Sequence, residues 1–426
     1  MRAFVRYDNQ GIIVPTSFVM KKTVPKVGQW KEISTSKSVS GSPAESSQKN
    51  LRAFVRYNGK NKVVAGSIVL RGQVPTGNWL ELTYDLSRPL VPVDYNDEIR
   101  VKVALWISDE AQAIIKYGDI NTWDTSNVTD MSSLFKDALT FNSNISNWDV
   151  SSVTTMYRMF NSATAFNQPL GNWDVSGVTD MFQMFKNAEA FNQDISSWDV
   201  SIGPDMRFMF IDCDAFNQPL ANWDVSNVTR MDGMFKNTPF NQPIDSWDVS
   251  SVLNMDRMFS TSNFNQPIGS WDVSNVENMK SMFFGNDVFN QPLNNWDVSN
   301  VSLMYFMFGY TNAFDQPLNN WDVSNVTTMG DMFENANIFN QNINSWDVSN
   351  VTDMGDMFKG ADLFNQPLAS WNVSNVTIME DMFEDAIAMN QDLSSWAVSN
   401  VTDCGSFSDG ATSWTLPKPT FTNCTP

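Results

Sequence analysis

The chain has 426 residues and contains no histidine, which excludes His-based acid–base catalysis and His-ligated metal sites. Its composition, 42% hydrophobic, 13% aromatic and 17% charged, is typical of a folded protein with a large core and not of a disordered chain. Charge is divided unevenly, because residues 1–100 hold 15 of the 27 Lys and Arg but only 8 of the 47 Asp and Glu.

The first 116 residues are predicted to form two sister β-rich modules. RAFVRY occurs at residues 2–7 and again at 52–57, and each copy leads through a short apolar run to VPKVGQWKEI or VPTGNWLEL. Alternating apolar and polar residues predict β-hairpins, too small to be stable alone, which should pair with the sister module, another subunit or a partner. The expected boundaries are a module at 1–33, a Ser-rich linker at 34–50, and at 51–116 a second module with a β-rich bridge over 97–108.

The rest of the chain repeats one sequence motif about every 25 residues. Each copy carries a phrase like WDVSNVTDMGDMFKGADLFNQPL, and successive copies begin 25 residues apart except for two steps of 24. The copies begin at Trp123, Trp148, Trp173, Trp198, Trp223, Trp247, Trp271, Trp296, Trp321, Trp346, Trp371 and Trp396. Such a period predicts a solenoid, here over residues 117–410, with 411–426 as a C-terminal cap or tail.

The start of each repeat is predicted to be a strand. Leu170, Trp173, Val175 and Val178 form the frame LxxWxVxxV, which matches the opening of a leucine-rich repeat. Trp and Val then point inward, and Asp174 projects from the exposed face. Stacking would align this Asp in ten repeats as a ladder of carboxylates about 5 Å apart. Its members are Asp124, Asp149, Asp174, Asp199, Asp224, Asp248, Asp272, Asp297, Asp322 and Asp347.

The second part of each repeat is predicted to be a short helix. Met181, Met184, Phe185 and Ala188 stand at i, i+3, i+4 and i+7, the spacing of one apolar helix face, and Thr179 is a candidate N-cap. The predicted fold class is therefore an α/β repeat solenoid, leucine-rich-repeat-like, with a stacked parallel β face and short helices, preceded by small all-β modules.

The Asp ladder is the candidate binding site, and three interpretations of it remain open. Each carboxylate could be hydrogen-bonded by Ser, Asn or Thr of its own or the next repeat, which would make the ladder structural. It could be a strip of short polar groups that meets a glycan or a basic protein surface. Calcium could bridge adjacent carboxylates, although no compact loop supplies the six to eight oxygens that calcium prefers. No other cofactor or metal is expected.

The remaining recurrent residues are predicted to be structural. Abundant Met and Phe recur at core positions, and the Asn-Gln pair of FNQPL, such as Asn167 and Gln168, is predicted to form amide ladders between repeats. Cys213 and Cys404 occupy core positions of their repeats, and Cys404 could pair with Cys424 of the tail in an oxidising compartment.

The repeats resemble those of the BspA-like leucine-rich repeat surface proteins, which carry the same Trp-x-Val-Ser-x-Val-Thr-x-Met-x-x-Met-Phe phrase. This resemblance covers about residues 117–410 and implies a leucine-rich-repeat-like fold with a role in extracellular adhesion or recognition. The VP-x-x-G-x-W-x-E phrase of the head resembles short modules of phage structural proteins, which implies assembly on a particle.

The predicted function is non-enzymatic recognition, adhesion or decoration, because near-identical repeats offer no unique catalytic site. We expect a phage virion component in which residues 1–116 dock to other structural proteins while the acidic repeats are displayed toward a host-surface glycan or protein. The alternatives are a bacterial cell-surface adhesin and a ligand-free spacer. The acidic body opposes nucleic-acid binding. The expected location is extracellular or on a virion surface, without membrane insertion or a visible signal peptide.

Overall fold

A computed structural model describes residues 94–426 and, within residues 2–84, the backbone of six strands. The chain divides into two compact units, Met1–Lys102 and Val103–Pro426. The predicted linker at 34–50 lies outside the described residues except for its first three positions, which belong to a strand.

The six strands of the first unit form one antiparallel sheet. They are β1 (Arg2–Arg6), β2 (Val19–Lys21), β3 (Trp30–Ser36), β4 (Arg52–Arg56), β5 (Val69–Arg71) and β6 (Trp79–Tyr84). The strand order is β2-β1-β3-β6-β4-β5, so each sister module contributes three adjacent strands. The modules join where β3 pairs with β6, with Ile33 opposite Tyr84. Of the three pairings left open, the sister module is the one found. The predicted end of the first module at residue 33 falls inside β3.

The predicted β-rich bridge at 97–108 is wrong, because this segment is helical. The helices are α1 (Tyr95–Ser108) and α2 (Glu110–Tyr117), followed by a 3-10 turn at Ile120–Thr122. Within α1 the buried residues Ile99, Val103 and Trp106 stand at i, i+4 and i+7, which places them on one helix face. The β-branched residues of this segment favoured a strand locally, but the spacing of the buried side chains fits a helix.

The twelve repeats stack with every neighbour in the same register. Parallel single-residue bridges connect equivalent positions one repeat apart, for example Thr328 with Asp353 and Asp353 with Ile378. Within the described repeats, β pairing takes the form of these isolated bridges, so the expected continuous parallel strands at the Trp-Asp-Val phrase are not observed. The expected alternation is confirmed, since Trp173 and Val175 are buried and Asp174 between them is exposed.

The predicted helix in each repeat is also wrong, and the segment consists of consecutive turns. Every second amide donates to the next repeat, as Met181 N does to the Asp205 carbonyl at 2.9 Å and Phe185 N to the Met209 carbonyl at 3.0 Å. Of the amides between them, Phe182 N donates to Asp180 Oδ1 at 3.0 Å. Met184 N and Lys186 N reach back only three residues, as Met184 N does to the Met181 carbonyl at 3.0 Å. The i, i+3, i+4, i+7 pattern correctly predicted which side chains are buried, but the amides bond across repeats instead of along a helix.

We call this part of each repeat the turn segment, which consists of the seven residues that start at the first Met, or at Cys404 in the last repeat. The turn segments are residues 131–137, 156–162, 181–187, 206–212, 231–237, 255–261, 279–285, 304–310, 329–335, 354–360, 379–385 and 404–410. The third and seventh residues of a turn segment have positive φ, for example 53° at Gln183 and 55° at Asn187. A positive φ cannot occur inside a right-handed helix, which explains why no helix forms.

The core is built from columns of aromatic rings, as the recurrence of Met and Phe predicted. Phe160 stacks on Phe166 of its own repeat at 4.1 Å between ring centroids and on Phe185 of the next repeat at 5.4 Å. The Trp rings form a separate column, with Trp321 and Trp346 6.3 Å apart. All five rings are buried, so each repeat covers the apolar residues of its neighbour.

The last repeat is closed by residues 411–426. Cys404 and Cys424 form a disulfide with their Cα atoms 5.9 Å apart, and Phe421 contacts the ring of Phe407. The backbone also joins the tail to the stack, since Leu393 N donates to the Pro417 carbonyl at 2.9 Å. The tail thus covers the apolar end that a thirteenth repeat would otherwise cover.

Candidate functional site

The predicted Asp ladder lies on the exposed surface, and each member accepts a hydrogen bond from the backbone N of the Ser two residues on. Asp149 Oδ1 accepts hydrogen bonds from the backbone N of Ser151 at 3.1 Å and from its Oγ at 2.6 Å. The three last members, Asp297, Asp322 and Asp347, accept the backbone bond from the Ser two residues on. This geometry is a side-chain turn that stabilises the chain after the Trp-Asp step.

The local Ser bonds lower the pKa of half of the ladder. The Ser hydroxyl, followed by the Ser backbone amide, lowers the pKa of five aspartates below the ordinary value. These are Asp149, Asp199, Asp248, Asp272 and Asp322. Of the three interpretations of the ladder, bonding within each repeat is therefore present, and the carboxylates remain exposed.

A shallow depression of about 350 Å³ lies on the ladder between two repeats. Its lining is polar apart from one Trp, and consists of Asn294, Asn295, Trp296, Asp297, Asn320 and Asp322. Amide and carboxylate groups around an open depression can exchange hydrogen bonds with hydroxyl-rich or cationic ligands. Among the described residues, no three acidic or cysteine side chains are grouped as a metal site, and calcium on the ladder stays a prediction.

The Asn-Gln pair forms the predicted ladder between repeats. Asn290 Oδ1 accepts from the backbone N of Asp315 at 3.1 Å and from Gln316 Nε2 at 2.9 Å in the next repeat. Asp315 takes over the Asn role in its repeat and accepts from Asn340 N at 2.9 Å. These side chains are half-buried and not fully inward-facing. They hold the repeats in register and are occupied by structural bonds.

A second polar cluster, which the sequence analysis missed, lies on the late turn segments. Lys359 Nζ contacts Asp356 at 3.2 Å, Glu384 at 2.6 Å and also Asp381. These carboxylates, together with their hydrogen bonds, raise the pKa of Lys359 above its usual range. Burial raises the pKa of nearby Asp331 to about 7, and neighbouring carboxylates add to the rise.

The early turn segments carry a different chemistry. The Arg158 guanidinium lies 4.9 Å from the ring centre of Tyr157 and 5.7 Å from that of Phe182. Arg207 approaches Phe182 from the next repeat at 5.1 Å and bonds Asp205 through two nitrogens. Cation–π stacking of this kind orders long side chains on the surface. The signal for both clusters was present in the sequence, because the turn segments vary among repeats whose other positions are nearly constant.

Two further observations concern the described helices and the buried cysteine. Among the residues with a defined placement, none of the helices combines the length and apolar character that crossing a bilayer requires. Cys213 is buried in the core as predicted, and burial raises the pKa of its thiol far above the usual range, which argues against a nucleophile.

Comparison with known proteins identifies a family whose activity is not assigned. No curated protein and no solved structure matches the chain. The family model described as Mycoplasma protein of unknown function, DUF285, matches it in four overlapping stretches, at residues 107–221, 203–266, 239–340 and 304–418. Together the matches span residues 107–418, which include α2 and the repeats, so this repeat protein belongs to the DUF285 family.

Proposed function

We propose that the chain is a non-enzymatic recognition protein whose stacked repeats bind an extended partner through the Asp ladder. The observation that carries the proposal is the uniform exposure of the ladder. Ten repeats present a carboxylate in the same local geometry, and repeats stacked in one register give many equivalent weak contacts along one line. The ligand class is a hydroxyl-rich glycan or a basic protein surface, for which the polar depression beside Asp297 and Asp322 offers the first subsite.

The fold that we propose for the repeats is a leucine-rich-repeat-like solenoid of the BspA-like kind. The constant register of neighbouring repeats, the inward Trp and Val, and the parallel bridges support this class. The turn segment takes the place of the helix that the leucine-rich repeat frame predicts. The first unit, a basic β-sheet module, is proposed to dock the protein to a larger assembly, a phage particle.

A cell-surface adhesin is the second candidate, and the Cys404–Cys424 disulfide favours it. Disulfides form and persist mainly in oxidising compartments, whereas virion proteins that assemble in the cytoplasm meet reducing conditions. In either case the repeats act outside a reducing cytoplasm. A ligand-free spacer is the outcome if the repeats bind nothing.

The test uses the full chain and an isosteric change. Asp297→Asn with Asp322→Asn removes two charges beside the depression but keeps the turn, because Asn372 occupies this position in its repeat and accepts from Ser374 N at 3.2 Å. Binding of both proteins to bacterial envelopes, to purified phage particles and to glycan arrays is measured with and without calcium.

The wild-type chain is expected to bind an envelope or glycan, and the double variant is expected to bind at least about tenfold more weakly, a loss of 1.4 kcal/mol. Equal binding by both proteins contradicts a role for the ladder. If the wild type binds particles but neither envelopes nor glycans, the repeats are a spacer. A calcium requirement that the variant loses would support bridging by adjacent carboxylates.

A further inference from the structure

The turn segments carry side chains that the repeat backbone does not require. The third and seventh positions have positive φ, and most repeats place Gly, Asp, Asn or Ser there, residues that tolerate it. Repeat four places Phe208 at the third position, with φ of 56°. Repeat eight has aromatic residues at both positions, Phe306 with φ of 57° and Tyr310 with φ of 56°. Bulky residues are outliers in this region. The same fold is built with small residues in sister repeats, so these aromatic side chains serve something other than folding.

These two residues belong to an aromatic patch in the middle of the stack. Phe306 contacts Tyr305 at 4.6 Å and Phe284 of repeat seven at 5.1 Å, and Phe284 contacts Tyr310 at 5.4 Å. Tyr310 is 40% exposed and the other three rings are half-buried. Exposed aromatic clusters of this kind form the centres of protein interfaces. We call these four residues the central patch.

Charge on the turn segments is opposite on the two sides of the central patch. The first seven turn segments hold seven Lys and Arg against four Asp, whereas the last four hold one Lys against eight Asp and Glu. Part of the early positive charge is already paired, for example Arg257 with Asp256. The acids of the late segments include exposed Glu380, Asp385 and Asp409. The surface therefore has an apolar middle, a basic early side and an acidic late side.

We propose that two copies of this chain pair through their turn segments in antiparallel orientation, with the central patches meeting at a two-fold axis. In a two-fold interface, each surface contacts the reversed copy of itself. Reversal places the early basic segments of one copy on the late acidic segments of its partner and patch on patch. Parallel pairing would oppose acid to acid. The overall charge of −20 repels a second copy, so only this local match supports association.

This pairing uses a different set of residues from the Asp ladder and does not depend on the proposed function. A chain that binds no ligand can still pair, and a monomer can still bind through the ladder.

The first test removes the central patch without disturbing the backbone. Phe306→Ser with Tyr310→Asn places residues that sister repeats already carry at these two positive-φ positions, as Ser281 and Asn335 illustrate. The matched control is Leu253→Thr, which removes an exposed apolar side chain outside the turn segments. Sedimentation velocity over a wide concentration range is expected to give twice the 48.1 kDa of one chain for wild type and control. The double variant is expected to dissociate about a hundredfold more readily.

The second test identifies the orientation by charge reversal. One variant carries Glu380→Lys and Glu384→Lys, and the other carries Lys186→Glu and Lys236→Glu. Sister repeats already carry the new residue types at the equivalent positions, as Lys280, Lys359 and Glu334 illustrate. Each variant alone opposes like charges twice and is expected to pair weakly. Mixed together they restore opposite charges at both ends, so native mass spectrometry should find the mixed dimer in excess.

Any of four results overturns the proposal. If the wild-type chain stays monomeric, the turn segments do not pair copies of this chain and would instead be free to bind a different, basic partner. If the dimer survives loss of the central patch, its interface lies elsewhere on the chain. A mixture that pairs no better than the separate variants contradicts the antiparallel orientation. If only the Glu380 and Glu384 reversal weakens pairing, the acidic segments bind the basic N-terminal residues of the second copy instead.

Discussion

Replacing Cys424 by Ser removes the covalent bond between the tail and the last repeat. Cys404 stays as a buried thiol at a position where other repeats carry Met, so the side chains that pack around it in the core remain the same. The noncovalent contacts of the tail also stay, among them the Leu393 N bond to Pro417. The expected effect is confined to the closing end of the stack.

The magnitude follows from the loop that the disulfide closes. The two cysteines are 20 residues apart. The chain-entropy relation gives about 3 kcal/mol for a loop of this length, which corresponds to an increase on the order of a hundredfold in the opening equilibrium of the tail. In a repeat array each unit contacts only its neighbours, so this loss should affect the last repeat and fade toward the middle.

The assay is hydrogen exchange of backbone amides in the native state, read separately for peptides of the tail, the last repeat and the middle repeats. The wild-type protein in reductant should show the same amide exchange as the Cys424→Ser variant, whose own exchange should not depend on reductant. The matched control is Cys213→Ala, which changes a buried cysteine to the residue found at Ala163 and Ala188 and should leave exchange at the closing end unchanged. Unchanged protection of residues 404–424 in the Cys424→Ser variant would refute the reasoning, as would equal losses throughout the stack.

Three further predictions concern the repeats themselves. Asn290→Ala removes the acceptor for two bonds from the next repeat and should cost about 1–3 kcal/mol in urea unfolding, whereas Asn290→Asp should be nearly neutral because Asp315 fills the same role. Asp331→Asn should flatten the pH dependence of stability. The pKa of Asp331 is raised from 3.8 to about 7, so this carboxyl binds a proton more tightly in the wild-type fold than in the unfolded chain. The wild-type fold therefore loses stability as pH rises from about 4 through 7, by at most about 4 kcal/mol. Phe259→Ala should lower the unfolding free energy by about 3–5 kcal/mol, because the fully buried ring stacks on its own and both neighbouring repeats.

Each of these predictions has an opposing result. Equal losses for Asn290→Ala and Asn290→Asp would mean that the amide ladder does not act through its acceptor oxygen. A wild-type chain whose thermal midpoint rises between pH 5 and pH 7 while that of Asp331→Asn does not would reverse the sign assigned to this carboxyl. A Phe259→Leu variant as unstable as Phe259→Ala would show that ring volume is not what the column contributes.

The arrangement of the core could be predicted from the sequence because it depends on spacing alone. The period of about 25 residues, the inward Trp and Val, the exposed Asp ladder and the amide ladder were all predicted. The same residues recur at each of these positions, and stacking brings equal positions together. The disulfide between Cys404 and Cys424 could only be left open, since the sequence does not contain the path by which the tail returns to the last repeat.

The backbone of the turn segment was predicted wrongly because the apolar pattern does not say where amides point. An isolated segment with Met and Phe at i, i+3 and i+4 would satisfy its amides along its own helix. In the stack a row of carbonyls from the next repeat lies within reach, as Gln183 N to the Arg207 carbonyl at 3.1 Å illustrates, and the segment takes positive φ at Gln183 and Asn187 to use it.

The sequence by itself thus determined the repeat, the residues that are buried and the residues that are exposed, because periodicity and hydrophobicity decide these. Only the tertiary structure decided the backbone of the turn segments, the helical form of residues 95–108 and the joining of the sister modules through β3 and β6. Each of these depends on which partner a backbone amide or an apolar face finds in the folded chain, and that partner lies far away in sequence.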